Sequence, residues 1–242
     1  MRYEADTHSH TIASGHAYNT IMEMAQAARD KGLKMLGITD HTHGVPEAAP
    51  EAYFRNYKII PREIFGVRLL MGAEVNILND GTIDMSEKCL RRMDIVIASL
   101  HGQCYKNAGL EGNTEAVLKV IENPFVDILG HPDDSHLPLD YERIAAKAAE
   151  TGTIIELNEY SHVQTGLRYD CRENQLAWLK YCKAMRVPVA IGSDAHFMNR
   201  VGEHAGVESV LIEADFPMDL VMNTDAEKLA AYLKARKERL PQ

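Results

Sequence analysis

A chain of 242 residues, 45% hydrophobic and 25% charged, has the balance of a soluble globular protein and enough length to bury a full core. Its net charge of -9 excludes a general binder of long nucleic acid or anionic membrane, which would carry a basic face, yet leaves room for a small phosphorylated substrate held by metal ions. No run approaches the roughly 18 apolar residues of a membrane span and no basic-then-apolar leader opens the chain, so the expectation is a cytoplasmic protein. Cys89, Cys104, Cys171 and Cys182 are widely separated and form no C-x-x-C pair, so they read as free thiols.

Residues 2–5 predict a short first strand, which delivers Asp6-Thr7-His8-Ser9-His10. Alternate side chains of an extended segment face the same way, so His8 and His10 point together and form a metal-binding pair. His16 follows in a polar segment. Residues 20–28 have apolar side chains at helical spacing, with Asn19 or Thr20 as the cap and Lys31-Gly32 as the stop. A buried strand over 34–39 ends in Asp40-His41-Thr42-His43. The pattern then repeats: a helix over 47–57 and a strand over 67–73 closed by Glu74-Val75-Asn76, then a strand over 93–100 closed by His101-Gly102. A helix over 114–122 leads to a strand over 126–130 and His131-Pro132. A helix over 140–150 leads to a strand over 153–157 and Asn158. A helix over 172–185 leads to a strand over 188–192 and Ser193-Asp194-Ala195-His196. Residues 207–212 read as one more strand and 225–239 as a charged outer helix. No linker, repeat or low-complexity tract divides the chain, which reads as one domain over 1–242.

Seven apolar strands alternating with helices predict an α/β protein with a parallel sheet built from right-handed βαβ units. An open sheet gathers ligands at one switch point, whereas a barrel brings the C-terminal ends of all its strands to one mouth. Functional residues at six or seven strand ends favour the barrel, and no Gly-rich dinucleotide fingerprint or P-loop supports the open sheet. The strand-end set is His8, His10, His16, His41, Glu74, His101, His131, Asp194 and His196. Seven imidazoles and two carboxylates exceed what one ion can use. Nitrogen and oxygen donors without cysteine suit zinc, manganese or iron, in a cluster of two or three ions.

Among the remaining residues, Asp40 is placed to orient a metal-bound imidazole. Arg168 and Arg200, in loops near the expected mouth, and Asn158, at a strand end, are candidates for substrate contact. His43, His136, His162 and His204 read as surface or loop histidines. Met22, Met24 and Met35 read as core filling.

The opening D-x-H-x-H, Thr39-Asp40-His41, a Glu after the third strand, the H-G at 101, the H-P at 131 and the G-S-D-A-H at 192–196 resemble the PHP (polymerase and histidinol phosphatase) superfamily over the whole chain. Within it, the chain is most similar to the single-domain YcdX-like phosphatases. The resemblance implies a distorted (β/α)7 TIM-like barrel with three divalent ions at its mouth, zinc or manganese. It places His8, His10, Glu74 and Asp194 on one ion, Glu74, His101 and His131 on a second, and His16, His41 and His196 on a third. It also implies a homo-oligomer, with a trimer among the options. The expected chemistry is attack of a metal-bound hydroxide, held by Glu74, His8, His10 and Asp194, on a small-molecule phosphate monoester. The alternatives are a phosphodiesterase or 3′-5′ exonuclease, a histidinol-phosphate phosphatase, and a metal store or binding module without turnover.

Overall fold

The computed structural model describes residues 2–163 and 168–240. Its strands are β1 (Ala5–Asp6), β2 (Met35–Ile38), β3 (Glu63–Ile64), β4 (Val67–Met71), β5 (Ala73–Asn76), β6 (Val96–Ser99), β7 (Ile128–Leu129), β8 (Ile154–Asn158) and β9 (Val189–Gly192). The helices are α1 (Ile21–Asp30), α2 (Glu51–Arg55), α3 (Glu87–Leu90), α4 (Gly109–Glu122), α5 (Tyr141–Thr151), α6 (Cys171–Met185), α7 (Ala205–Glu213) and α8 (Ala226–Lys237). The strands form two sheets, ordered β1-β2-β4-β3 and β5-β6-β7-β8-β9. Every strand ladder is parallel except that of β3 with β4. The result is a mixed α/β fold with parallel sheets.

Backbone bonds tie the two sheets together at both sides. Gly72, between β4 and β5, donates to the Ile38 carbonyl at 2.9 Å, and Glu74 N–H donates to the Asp40 carbonyl at 3.1 Å. A side chain at Gly72 would put its Cβ 2.2 Å from the Ile95 carbonyl oxygen, so only glycine lets the strands approach here. On the other side, Asp194 N–H donates to the His8 carbonyl and His10 N–H to the Ala195 carbonyl, each at 2.9 Å.

The helices follow from local sequence signals. Thr20 caps α1, its hydroxyl accepting from Glu23 N–H while the Glu23 carboxylate accepts from Thr20 N–H, a reciprocal capping box. Met24 and Met35 are buried as core filling requires, but Met22 lies half exposed on the outer face of α1. The helix predicted over 47–57 shrinks to α2 and a 3-10 turn at Tyr57–Ile59, because Pro50 sets the start of the helical backbone. The first strand begins later than predicted, at Ala5. The strand predicted over 207–212 is instead part of α7. Its buried residues Val207, Val210 and Leu211 recur at intervals of three and four, the period of a helix, and Ile212 faces solvent. The short hairpin of β3 on β4 was not foreseen. It turns through Phe65 and Gly66, both with positive φ.

Two apolar clusters build the core. The larger packs the strands against the surrounding helices. The smaller takes a residue from seven of the eight parallel strands, Ala5, Met35, Leu70, Ile97, Ile128, Ile154 and Ala190, adds Ile95 just before β6, and covers them with Ala226, Leu229 and Leu233 of α8. Arg236 locks α8 in place: its guanidinium donates to the Val126 and Gly152 carbonyls, each at 2.6 Å, and lies 3.3 Å from the buried Asp127 carboxylate. Lys237 meets the same carboxylate at 2.9 Å. The helix predicted to pack outside therefore closes the end of the sheets at which the strands begin. Replacing Arg236 by alanine removes its contact with Asp127 and its bonds to the Val126, Thr151 and Gly152 carbonyls and is expected to cost about 3 kcal/mol, read as a lower urea midpoint; an unchanged midpoint would contradict this role.

Candidate metal centre

The imidazoles and carboxylates gather where the parallel strands end. His8 and His10 follow β1, His41 follows β2, Glu74 lies within β5, His101 follows β6, His131 follows β7, Asn158 ends β8, and Asp194 and His196 follow β9. His16 joins them past a 3-10 turn at Ile12–Ser14, whose exit is Gly15 at φ 81°. His131 and Asp194 themselves have positive φ, 27° and 52°. Such backbone is costly for residues with a Cβ and is kept where the surroundings dictate it.

Glu74 is the centre. Its Oε1 lies 2.8 Å from His131 Nε2 and 3.2 Å from His101 Nε2. Its Oε2 lies 2.8 Å from His41 Nδ1, 3.3 Å from His8 Nε2 and 3.6 Å from His10 Nε2. Asp194 Oδ1 stands 3.1 Å from His10 Nε2. His8 and His10 Nε2 are 3.0 Å apart, as are His16 and His196 Nε2. Three groupings could each hold one ion: His8, His10 and Asp194; His41, Glu74 and His101; and His10, His41 and His196.

The groups behind the imidazoles decide which nitrogen faces the cluster. His8 Nδ1–H donates to Glu156 Oε1 at 2.7 Å, since a carboxylate can only accept. Ser14 Oγ gives its proton to Asp40 at 2.7 Å and so accepts from His10 Nδ1–H at 3.0 Å. The Asn76 amide donates to Asp84 at 2.7 Å, which turns its oxygen toward His101 Nδ1–H, also at 2.7 Å. His196 Nδ1–H donates to the Asp194 carbonyl. In the neutral rings, each arrangement leaves an Nε2 lone pair aimed inward, the form a metal needs. Asp40 touches no imidazole directly. It acts through Ser14, and also accepts from Thr11 and Tyr53.

Glu156 was not singled out in the sequence, although a lone charge between Ile155 and Leu157 in a buried strand was a signal for it. It is fully buried, and its other oxygen accepts from His131 N–H at 2.9 Å. Gly192 makes room, since a Cβ there would lie 2.1 Å from Glu156 Oε1 and 2.6 Å from His8 Cβ. Nothing local in the sequence marks Asn76 or Ser14 as partners, because each meets its imidazole only through the fold.

Electrostatics follow from this packing. Burial opposes charge on His8, but Glu156, Glu74 and Asp194 outweigh it and hold its pKa well above the ordinary value. Burial, with His196 and His41 nearby, keeps His10 well below. Burial and the same kind of neighbours bring His16 down to about 4. Against their own burial, Glu74 and Asp194 are held well below the usual carboxylate range by the imidazoles around them.

Divalent ions fit this donor set. Three buried atoms here, His41 Nδ1, Glu74 Oε2 and Asp194 Oδ1, form no hydrogen bond, and the donors are nitrogen and carboxylate oxygen throughout. The four cysteines are free and none belongs to the groupings.

A cavity of about 200 Å³ opens over the cluster, lined by His16, His41, His101, Arg168, Asp194 and His196. Arg168 donates to Ser161 Oγ at 2.9 Å and approaches Asp194 Oδ2 at 3.5 Å. Asn158 Nδ2 donates to Glu156 at 3.1 Å and to Asp194 at 3.2 Å. Arg200 does not join them; it lines a neighbouring cavity beside His16 and His196. His43 is exposed, His136 pairs with Asp134, His162 meets Gln175 and His204 meets the Gly202 carbonyl, so these four lie apart from the cluster.

A PHP domain family model matches residues 6–166. A protein of Acetivibrio thermocellus named "Probable phosphatase" is 43% identical over 242 residues, 99% of this chain and 99% of that one. One of Clostridium novyi, also named as a probable phosphatase, is 41% identical over 237 residues, 98% of this chain and 96% of its own. In fold, the chain is similar to histidinol phosphate phosphatase from Lactococcus lactis, solved with zinc, L-histidinol and phosphate: TM-score 0.61, 16% identity, 89% of this chain and 95% of that one. No helix among the described residues is long and apolar enough to cross a membrane. With two thirds of its length matched by the family model and near full-length relatives at 41–43% identity, the chain belongs to the PHP domain family.

Proposed function

We propose that this hydrolase cleaves phosphate monoesters of small molecules at a cluster of three divalent ions, zinc foremost, with manganese or iron as alternatives. The observation that carries the reading is the convergence of inward-facing Nε2 atoms on Glu74 and Asp194, with buried ligand oxygens left without hydrogen bonds. His8, His10, Glu74 and Asp194 would hold one ion, Glu74, His101 and His131 a second, and His16, His41 and His196 the third. Bound there, such ions would supply Lewis-acid activation of water near neutral pH and would offset charge on the phosphate oxygens.

The chain's own residues orient and select. Glu156, Ser14 with Asp40 behind it, and Asn76 keep the imidazole nitrogens pointed inward. Arg168, over the cluster, is the candidate to bind phosphate oxygens, with Asn158 holding it and Asp194 in place. The small cavity suits a phosphate group rather than a long polymer. A closed seven-stranded (β/α)7 barrel is the architecture proposed for this mouth, supported by the backbone bonds joining the two sheets and by the seven-strand cluster beneath α8. The names of the curated relatives support phosphatase chemistry, and the L. lactis neighbour supports zinc and a small phosphorylated substrate.

Metal analysis of the purified protein, paired with turnover of a generic phosphomonoester and a generic phosphodiester, tests this reading. About three ions per chain with monoester cleavage dominant is the expected result. Dominant diester cleavage would favour an exonuclease-like phosphodiesterase, and bound metal without turnover a metal-binding module. Glu156→Gln is expected to weaken zinc affinity about 10- to 100-fold while circular dichroism stays unchanged; unaltered affinity would remove Glu156 from the site. Metal affinity should also depend on pH with a definite sign. Because the metal-free site holds the His8 pKa well above the usual value, a proton occupies the ring at neutral pH and an incoming ion must displace it. Affinity therefore rises as pH increases through and above neutrality and falls on acidification. A competition titration with a chelator across that range measures it, and a flat profile would contradict the assignment of His8.

A further inference from the structure

Exposed aromatic residues scattered singly over a surface need no explanation. Here two of them, with the partly buried Tyr160, line one cavity of about 740 Å³, which shares His16 and His196 with the metal centre. Tyr18 is 73% exposed and Phe197 48% exposed, each close in sequence to a candidate ligand. They are not on free loops. Tyr18 N–H donates to the His196 carbonyl at 3.2 Å, and Met198 N–H donates to Asn19 Oδ1 at 2.8 Å, so the two segments are pinned to each other. The third ring, Tyr160, stacks on His196 with centroids 5.5 Å apart and planes 18° from parallel. Arg200 completes the lining, without an ion pair or side-chain hydrogen bond among the described residues, and no carboxylate lines the cavity.

Resting on the phosphatase reading above, we propose that this aromatic cavity receives the alcohol part of the substrate and selects esters whose alcohol carries a planar ring. The cavity over the metal centre opens two ways. The other way, past His101 and Arg168, leads to a cavity of about 690 Å³ lined by Leu100, Leu137 and the buried Tyr105 together with Asn107, His136 and the Asp134 carboxylate. A phosphate over the cluster thus has one neighbour with two exposed rings and an arginine but no carboxylate, and one with a carboxylate and no exposed Tyr or Phe side chain. Rings of Tyr and Phe offer large flat contact area with little side-chain entropy to lose, and an arginine stacks on a ring face as readily as it meets an anion.

The test compares kcat/KM for 2-phenylethyl phosphate and butyl phosphate, whose leaving alcohols are chemically alike, on metal-loaded protein and on Tyr18→Ala and Phe197→Ala, with metal content measured in each. Wild-type protein is expected to favour the ring ester about tenfold, through KM. Each variant is expected to lose most of that preference while retaining its metal. Both side chains are solvent-facing, so folding does not depend on them. Equal kcat/KM for the two esters, or a preference that survives both substitutions, overturns the ring pocket and leaves the phosphatase reading standing. Turnover of neither ester by metal-loaded protein overturns both.

Discussion

Charge buried beside charge is the constraint to which the rest of this molecule answers. Glu74 is fully buried and Asp194 nearly so, and an ionised carboxylate removed from water is tolerated only when opposite charge or hydrogen-bond donors surround it. Five imidazoles stand within 4 Å of the Glu74 carboxylate, from segments following four different strands. The arrangement is self-consistent only if the rings face inward, and His8, His10 and His101 are each turned by a group behind the ring. Glu156, Ser14 and Asn76 are thus as necessary to the floor of the site as the residues that line it. The two oxygens left without partners mark where this compensation is incomplete, which is where a cation belongs.

The fold separates that demand from stability. Apolar residues from seven of the parallel strands pack together with α8, and Arg236 anchors the helix on Asp127 and on backbone carbonyls. Polar residues at the ends of the same strands build the candidate metal centre. A strand of only four or five residues therefore serves both purposes: β8 places Ile154 in the apolar cluster, and Glu156 and Asn158 at the site. Alternation along the extended backbone makes this possible, since residues two apart face the same side. Glycines at 72 and 192 allow the close approaches, each where a Cβ would collide with a neighbouring carbonyl or carboxylate.

Much of this was legible from the chain. The alternation of apolar runs with helical segments marked the parallel sheets, and histidines just past successive runs marked the ends that converge. The failures were local and physical. Val207, Val210 and Leu211 lie too close together for a short apolar run to distinguish strand from helix until burial shows which side chains face inward. The 47–57 segment had helical composition, but Pro50 delayed its start. Asp40 looked like a direct partner of an imidazole and proved to act through Ser14, since the chain turn after β1 interposes that hydroxyl. Arg200 and Arg168 looked equivalent by position, yet only Arg168 reaches Asp194.

The α/β class, the inventory of metal-competent donors and their order at the strand ends are readable along the chain, because period and residue chemistry are local properties. Which donors share an ion-sized space, which nitrogen of His8, His10, His101 and His196 faces it, and where the exposed rings lie relative to that cluster are set by the tertiary packing. Those are distances between residues as far apart as His8 and Glu156, or Tyr18 and Phe197. Spacing along the backbone carries no information about them until strand pairing and packing bring the segments together.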